Sequence, residues 1–302
     1  MIKCPLCKQS KVKEFFKKRD FFYFECVKCF CLFVYPLPDK KVLKQYYQFE
    51  FSYNHSLDNH ARRLKQYEKV LKKMKKMNPQ GKNLLDVGCG TGTFLGLAKH
   101  KKLKTLGIEP SLKLYKIAKE RGAKVLNCTF EEFCRLRSNL KLSFDFITLF
   151  HVIEHISDPR GWIENLLELL RKGGFLYIET PNIDSYLYFS QREFYTFLTP
   201  PDHLILFSKR SFLRLLKNYK VKVNFSTYSY PEHLMGVVKS FIKGKAYVLE
   251  NSCFNQDNIS RSLPIHKRFK YIVFDRFLAP IFTPLMNIFD KGSILQIYIK
   301  KL

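Results

Sequence analysis

The chain has 302 residues, of which 46% are hydrophobic, so it can bury a large core and is too apolar for a disordered protein. Lysine and arginine outnumber the acidic residues by 53 to 26, and the net charge of +27 favours polyanionic partners unless lysine only aids solubility. The first residues lack the apolar core of a signal peptide, and no run of about 20 uncharged apolar residues occurs. Several of the nine cysteines have no obvious partner, which fits a reducing cytosol, so a cytoplasmic protein is expected.

Composition and periodicity divide the chain into five segments. Residues 1–45 hold five of the nine cysteines, and 46–80 carry apolar residues at helical spacing. In 81–230, apolar strands alternate with amphipathic helices, which indicates an α/β fold with a parallel sheet and helices on both faces. Residues 231–288 form a basic, aromatic insertion that interrupts this core. Residues 289–302 supply a last core strand, which is expected to pair antiparallel with the strand before the insertion.

The elements of the core are predicted from the same patterns. Strands are expected at Asn83–Val87, Lys104–Ile108, Lys124–Leu126, Phe144–Phe150, Phe175–Glu179, Val221–Tyr230 and Ser293–Ile299. Helices are expected to start near Thr93, Ser111, Phe130 and Pro159, and a further helix is capped by Ser208.

A glycine-rich turn follows the first of these strands, in the stretch "LLDVGCGTGTFL" from Leu84 to Leu95. It lacks the Gly-Lys-Ser/Thr of a Walker loop, and Thr93 stands where a dinucleotide fold has its third glycine. Asp86 would repel a pyrophosphate, but it would attract a ligand that carries an ammonium group. The turn therefore favours a cofactor without phosphate.

S-adenosylmethionine meets this requirement, because it has an ammonium group, a carboxylate suited to backbone N–H groups at a helix start, and no phosphate. Its ribose needs an acidic acceptor after the second strand. Glu109 ends that strand 21 positions after Gly88, near the spacing of about 20 typical of a ribose-binding acid. Taken alone, either acid can simply lie at a strand end, but the combination points to this cofactor.

Four successive motifs, "LLDVGCGTGTFL", "GIEPS", "FDFITLFHVIEHISDP" and "LRKGGFLYIETPN", resemble those of class I S-adenosylmethionine-dependent methyltransferases over about 83–230. The resemblance implies a Rossmann-like, seven-stranded methyltransferase sheet whose last strand is antiparallel. It places the methionine part of the cofactor near the glycine turn, the ribose near Glu109 and the adenine near the third strand. The cofactor-binding residues implied in this way are Asp86, Gly88, Cys89, Gly90, Gly92, Glu109, Pro110, Thr129, Phe130 and Phe150.

The polar residues after the fourth strand are candidates for catalysis, because ligands of such sheets bind beyond the carboxyl ends of the strands. His151 comes first and is expected to touch cofactor or acceptor, while Glu154 and His155 are catalytic candidates that can instead form a purely structural pair. A base is needed only if the acceptor must lose a proton. His203 lies in a Pro-x-His-x-x-x-Phe-Ser run similar to one in the same enzymes, either near the acceptor or as an ordinary loop histidine.

Cys4, Cys7, Cys26 and Cys29 form two CxxC pairs separated by 18 residues, a spacing typical of a structural zinc site. Cys31 is a possible substitute ligand. Disulfides are the alternative to a metal, but the cysteines without obvious partners elsewhere in the chain disfavour them. The segment resembles the zinc ribbon that precedes many such methyltransferases, although Phe30 stands where a glycine usually follows the fourth cysteine.

Three functional interpretations follow. The first is methylation, at oxygen or carbon, of a small-molecule acceptor such as a sugar or a glycan or lipid-linked precursor. The second is an RNA methyltransferase, in which the ribbon binds rRNA or tRNA and aromatics at 21–24 stack on bases. The third is a non-catalytic zinc-ribbon binding protein.

The apolar stretch 271–292, with basic flanks, is either a lid, a contact with an anionic membrane, or a cap of the core. The oligomeric state stays open.

Overall fold

The computed structural model describes residues 2–18, 20–39, 43, 60–136, 142–243, 287 and 289–302. The expected helical residues before position 60, and the insertion between 244 and 286, lie outside the described part of the chain. Among the described helices, none combines the length and the apolar character that a membrane-spanning segment needs.

The N-terminal ribbon is a small antiparallel sheet. Its strands are β1 (Val12–Lys18), β2 (Phe21–Cys26) and β3 (Leu32–Tyr35). β1 pairs with β2 and β2 with β3, and a short strand from much later in the chain, β9 (Ile205–Leu206), pairs antiparallel with β3. The ribbon is therefore extended by residues that follow the last parallel strand.

A second sheet has seven strands among the described residues, in the order β10-β11-β8-β7-β4-β5-β6. The five strands from β6 to β8 are parallel. β10 and β11 run antiparallel, since the amide of Leu302 donates to the carbonyl of Lys220 while Ser293 and Ser229 pair at the other end. The strands are β4 (Asn83–Val87), β5 (Lys104–Ile108), β6 (Val125–Leu126), β7 (Phe144–Phe150), β8 (Leu170–Pro181), β10 (Val221–Tyr228) and β11 (Ile294–Lys301).

Helices connect the strands, and polar caps start several of them. Ser111, Asp158 and Ser208 each accept a hydrogen bond from a backbone N–H in the first turn of the helix that follows, which satisfies a donor that has no partner inside the helix. The helices are α1 (His60–Met77), α2 (Thr93–His100), α3 (Leu112–Glu120), α4 (Phe130–Leu136), α5 (Pro159–Leu169), α6 (Tyr186–Gln191), α7 (Lys209–Leu216) and α8 (Pro231–Lys243). Short 3-10 turns cover Ile153–His155 and Arg192–Phe194.

The chain forms two compact units, each with its own core. One unit comprises Met1–Leu37, Thr180–Lys217 and Phe225–Gln296, and the other comprises Pro38–Glu179, Asn218–Asn224 and Ile297–Leu302. In the second unit, the apolar side of α1 packs on the sheet through Tyr67, Val70, Leu71 and Met74. In the first unit, ribbon residues share a core with residues 183–206.

The fold class expected from the sequence is confirmed: an α/β protein with a seven-stranded methyltransferase sheet. The predicted starts of α2, α4 and α5 are those observed. Four strands differ from the expected bounds. β8 extends over Leu170–Pro181 instead of Phe175–Glu179, and β6 is reduced to Val125–Leu126. β10 ends at Tyr228 instead of Tyr230, and β11 covers Ile294–Lys301 instead of Ser293–Ile299. The extra length of β8 includes Arg171 and Lys172, whose exposed side chains hide the strand from a pattern based on apolar residues.

Candidate active site

The glycine turn lies at the carboxyl end of β4 and leads into α2. Gly88 and Gly90 have φ of +70° and +54°, in the region that favours glycine. A Cβ at Gly88 would lie 2.7 Å from Cγ2 of Val152, whereas a Cβ at Gly90 would meet nothing within 4 Å. The turn thus leaves open space beside Gly90, where a ligand can approach the backbone closely.

Asp86, the acid that precedes the turn, is almost completely buried at the end of β4. Its Oδ1 accepts a hydrogen bond of 2.6 Å from the hydroxyl of Thr148 on the neighbouring strand β7. Burial raises the pKa of Asp86 to about 7, although Thr148 and the charge of Arg63 oppose this effect. The side chain is therefore a desolvated carboxylate that a nearby cation would stabilise.

Glu109 directly follows β5, the next strand of the sheet, and is also buried. Its Oε2 accepts from the amide of Gly90 at 2.8 Å and its Oε1 from the amide of Ser111 at 2.9 Å. Burial raises the pKa of Glu109 to about 7 against these two hydrogen bonds. The bonds fix the carboxylate against the glycine turn, and each oxygen keeps a lone pair that can accept a ligand hydroxyl.

His151 follows β7 with a φ of +53°, which directs its side chain between two carboxylates. Its Nδ1 lies 3.2 Å from Oε1 of Glu154, and its Nε2 lies 3.3 Å from Oε1 of Glu179. Burial opposes the charged imidazolium, but both carboxylates together raise the pKa of His151. Glu179, two residues before the end of β8, also accepts a hydrogen bond of 2.5 Å from the hydroxyl of Tyr177. The arrangement can hold or release a proton at His151.

The motifs did not single out Glu179, nor Arg63 on α1. The charge of Arg63 lowers the pKa of both Asp86 and Glu179, although burial raises both, so the guanidinium lies within electrostatic range of the two acids. Its Nε donates 2.8 Å to the hydroxyl of Tyr67. Glu179 ends a predicted strand, as Asp86 and Glu109 do, and that position is the signal that could have found it. No comparable signal marks Arg63, which lies far from the glycine turn in sequence.

The remaining predicted cofactor residues lie near this edge of the sheet. Cys89 is buried, and the carbonyl of Pro110 accepts from the side chain of Asn127. Phe150 packs edge-on against Tyr67 and Phe94, with both ring centroids 4.7 Å away. The three rings belong to the same buried apolar core as Cys89 of the glycine turn.

Thr129 and Phe130, predicted near the adenine, have structural partners of their own. The amide of Thr129 donates to the carboxylate of Glu132, and the amide of Glu132 donates to the hydroxyl of Thr129, so the pair caps α4. Phe130 is buried, with its ring centroid 4.6 Å from that of Trp162. Their contact with a cofactor stays a prediction.

The other two histidine candidates are buried and have hydrogen-bond partners of their own. His155 is buried in the 3-10 turn after β7, where its amide donates to the carbonyl of Val152. His203 belongs to the other compact unit. There its Nδ1 lies 2.7 Å from the carbonyl oxygen of Phe197 and its Nε2 lies 3.7 Å from Oδ2 of Asp202. A catalytic role of either histidine stays a prediction.

The four predicted metal ligands converge in the ribbon. The Sγ atoms of Cys4, Cys7, Cys26 and Cys29 all lie within 4.8 Å of one another. Contacts of 3.5 Å join Cys4 to Cys29 and Cys7 to Cys26, which is close to the spacing of about 3.8 Å for thiolates around a tetrahedral zinc ion. The donor set therefore fits zinc. Cys31 is also buried, 3.6 Å from Cys4 and 3.5 Å from Cys29.

The strand order, the glycine turn after the first parallel strand and the acids at the ends of β4 and β5 define a Rossmann-like domain of the methyltransferase class. Residues 58–223, more than half of the chain, match the family described as a methyltransferase domain. The chain belongs to this family. The resemblance to class I methyltransferases drawn from the four motifs is thereby confirmed.

Several known methyltransferases are similar to this chain in sequence or in structure. The chain is 35% identical over 114 residues to a ubiquinone biosynthesis O-methyltransferase of Coxiella burnetii. This match covers 36% of this chain and 48% of that protein. It thus spans about half the length of the curated relatives it matches. Among solved structures, a methyltransferase of Thermotoga maritima described as a possible histamine N-methyltransferase has a TM-score of 0.46 at 21% identity, covering 78% of this chain and 89% of the other. The plantazolicin methyltransferase BpumL has a TM-score of 0.49 at 15% identity, covering 86% and 94%.

Proposed function

We propose that the protein transfers a methyl group from S-adenosylmethionine to a hydroxyl group of a small-molecule acceptor. The observation that carries the proposal is the pair of buried carboxylates, Asp86 and Glu109, on either side of a glycine turn with open space beside Gly90. Two desolvated acids next to a phosphate would be strongly unfavourable. Next to a cationic nucleoside they are stabilising.

The charges around the turn match the charges of this cofactor. Asp86 suits the ammonium group and the sulfonium, and Arg63 offers a positive charge for the carboxylate. Glu109, held by the amides of Gly90 and Ser111, can accept from the ribose hydroxyls. When bound, S-adenosylmethionine supplies an activated methyl group on its sulfonium. The residues of the chain orient it and exclude water from its apolar side through Phe94 and Phe150.

Acceptance of a hydroxyl substrate is supported by His151. A hydroxyl must lose its proton as it is methylated, and a histidine between Glu154 and Glu179 can take that proton, because the two carboxylates stabilise the imidazolium that results. The half-length similarity to ubiquinone biosynthesis O-methyltransferases agrees with O-methylation of a small molecule. A sugar or a glycan or lipid-linked precursor with a free hydroxyl fits the same chemistry.

RNA methylation has weaker support. Of the aromatic residues expected to stack on bases, Tyr23 is fully buried and its ring stacks on Phe16 with centroids 5.1 Å apart. Phe24 is also buried. Neither of these two rings is available to a base. Phe21 and Phe22 are only partly buried, so these two rings and the net charge of +27 remain the support for this alternative.

The test begins with calorimetric titration of S-adenosylhomocysteine and, separately, NAD into the purified chain. We expect S-adenosylhomocysteine to bind and NAD not to bind. Glu109→Ala should lower that affinity at least tenfold, whereas Glu120→Ala, an exposed acid on the following helix, should leave it unchanged. Transfer of labelled methyl groups to the small-molecule fraction of an extract, and none to the RNA fraction, would support the acceptor class. Binding of NAD, or full affinity in Glu109→Ala, would contradict the cofactor assignment.

A further inference from the structure

The ribbon and the loop that carries His203 share a backbone ladder, although they are about 170 positions apart in sequence. Leu32 and Phe33 of β3 pair with Leu206 and Ile205 of β9. In addition, the amide of Val34 donates 2.9 Å to the carbonyl of Leu204, the residue next to His203. The backbone of β3, at the edge of the ribbon, therefore holds residues 204–206 of this loop through hydrogen bonds.

Side chains extend the contact to the rest of the loop. Nζ of Lys18, at the end of β1, donates 2.7 Å to the carbonyl of Leu198. Tyr23 of β2 lies in one buried core with Tyr195, Leu198 and Leu206. This core joins all three ribbon strands to the segment 195–206, because β1 contributes Phe15 and Phe16 and β3 contributes Leu32 and Val34.

The metal ligands lie where the same strands begin and end. Cys26 is the last residue of β2, and Cys29 stands three residues before β3. The amide of Cys26 donates 3.0 Å to the carbonyl of Cys31, which closes the turn between the two strands. A ribbon of this size buries too little apolar surface to be stable alone, so a metal that joins this turn to Cys4 and Cys7 is expected to supply much of its stability.

We propose that the metal held by the ribbon cysteines orders the segment 197–206 and thereby positions His203. The link runs from the Cys26–Cys31 turn through β3 to β9 and Leu204. The ribbon is then a structural support of this loop, which is a different role from an independent nucleic-acid module. Metal loss is then expected to expose this segment to exchange and to leave cofactor binding unchanged, because the proposed cofactor residues Asp86 and Glu109 lie in the other compact unit.

Hydrogen exchange followed by mass spectrometry tests the proposal on the full chain, with zinc and after its removal by dipicolinate. The amides of Asp202 and His203 both donate to the carbonyl of Thr199, so their exchange reports on the loop. We expect exchange in peptides covering 199–207 to become at least tenfold faster without zinc, while peptides covering 83–87 and 144–150 keep their rates. Unchanged protection of 199–207 in the zinc-free chain would overturn the proposal.

Zinc removal could accelerate hydrogen exchange throughout the chain and so hide a local effect. In that case, a pair of variants tests the contact between the ribbon and the loop directly. Lys18→Met removes the hydrogen bond to Leu198 without touching a metal ligand, and Lys13→Met is its control, an exposed lysine on the same strand. In the zinc-loaded protein, we expect Lys18→Met alone to accelerate exchange in 197–203, by severalfold. Equal rates in both variants would overturn the proposal in that case.

The failure of this proposal is distinguishable from that of the proposed function. Binding of S-adenosylhomocysteine is measured on the same zinc-loaded and zinc-free samples. Absence of binding to the zinc-loaded chain contradicts the methyltransferase activity and leaves the exchange result intact. Binding that is equal in both samples, together with faster exchange in 199–207, supports the coupling of metal and loop. Weaker binding without zinc contradicts the expectation that the metal acts on the loop alone.

Discussion

Lowering the pH from 8 to 6 should weaken the binding of S-adenosylmethionine, because the proposed site needs Asp86 in its charged form to bind the ammonium group. Burial raises the pKa of this carboxyl to about 7, so in the ligand-free protein it is mostly protonated at pH 6 and mostly ionised at pH 8. A cation bound beside it favours the ionised form. Binding at pH 6 must therefore release a proton, and the affinity must rise with pH up to about 7 and then level off.

The size of the effect follows from the titration. One pH unit below a pKa of about 7, roughly nine-tenths of the carboxyl groups are protonated, which lowers the affinity about tenfold, or about 1.4 kcal/mol. Glu109 has a pKa that burial raises to about 7 as well, so the combined loss lies between about tenfold and about a hundredfold. Asp86→Asn should remove the larger part of the pH dependence and weaken binding at pH 8.

Isothermal titration at pH 6, 7 and 8, in two buffers with different heats of ionisation, measures both the affinity and the protons released. An affinity that stays constant over this range, with no proton exchange in either buffer, would refute the reasoning. The ligand-free protein offers a control of the sign. In the folded state the Asp86 carboxyl binds more protons than in the unfolded state between about pH 4 and 7, so its contribution to stability should fall as the pH rises through that window. Asp86→Asn should raise the melting temperature at pH 8.

Three further predictions concern other residues. His151→Gln should lower the transfer rate by about 10²–10⁴ with unchanged cofactor affinity, and the wild-type rate should rise with pH through a pKa above that of a free histidine, since the base must be neutral; a flat pH profile would exclude His151 as the base. Cys31→Ser should keep one zinc ion per chain by atomic absorption, whereas Cys26→Ser should lose it; equal zinc loss would place Cys31 among the ligands. Gly88→Ala should lower the melting temperature, because its Cβ would meet Val152, whereas Gly90→Ala should impair cofactor binding more than folding; equal melting temperatures would contradict the packing at this turn.

Most residues of the candidate cofactor site could be predicted from local sequence patterns. Asp86 and Glu109 each stand where an apolar run ends, and the carboxyl ends of parallel strands meet at one edge of the sheet, so two local observations were enough to place both acids together. The glycines of the turn are contiguous with the strand that they follow. The CxxC spacing likewise predicted four thiols that the fold brings within 4.8 Å of one another.

Contacts between distant segments were beyond this kind of inference. Glu179 faces His151 only because β8 lies beside β7 in a particular register, and Arg63 reaches the acids only because α1 packs against β4 and β7. Each of these positions depends on the packing of whole elements, which single-residue patterns do not encode.

Strand periodicity, turn glycines and ligand spacing act over a few residues, and by themselves they determined the class of sheet, the acids that suit a cationic cofactor and the thiols that suit a metal. Tertiary structure alone decided that the ribbon pairs with β9, that Lys18 holds Leu198, and that His151 lies between two carboxylates. The reason is physical: an edge strand can pair with any unpaired backbone of suitable length, and the choice of partner is made by side-chain packing across the whole unit.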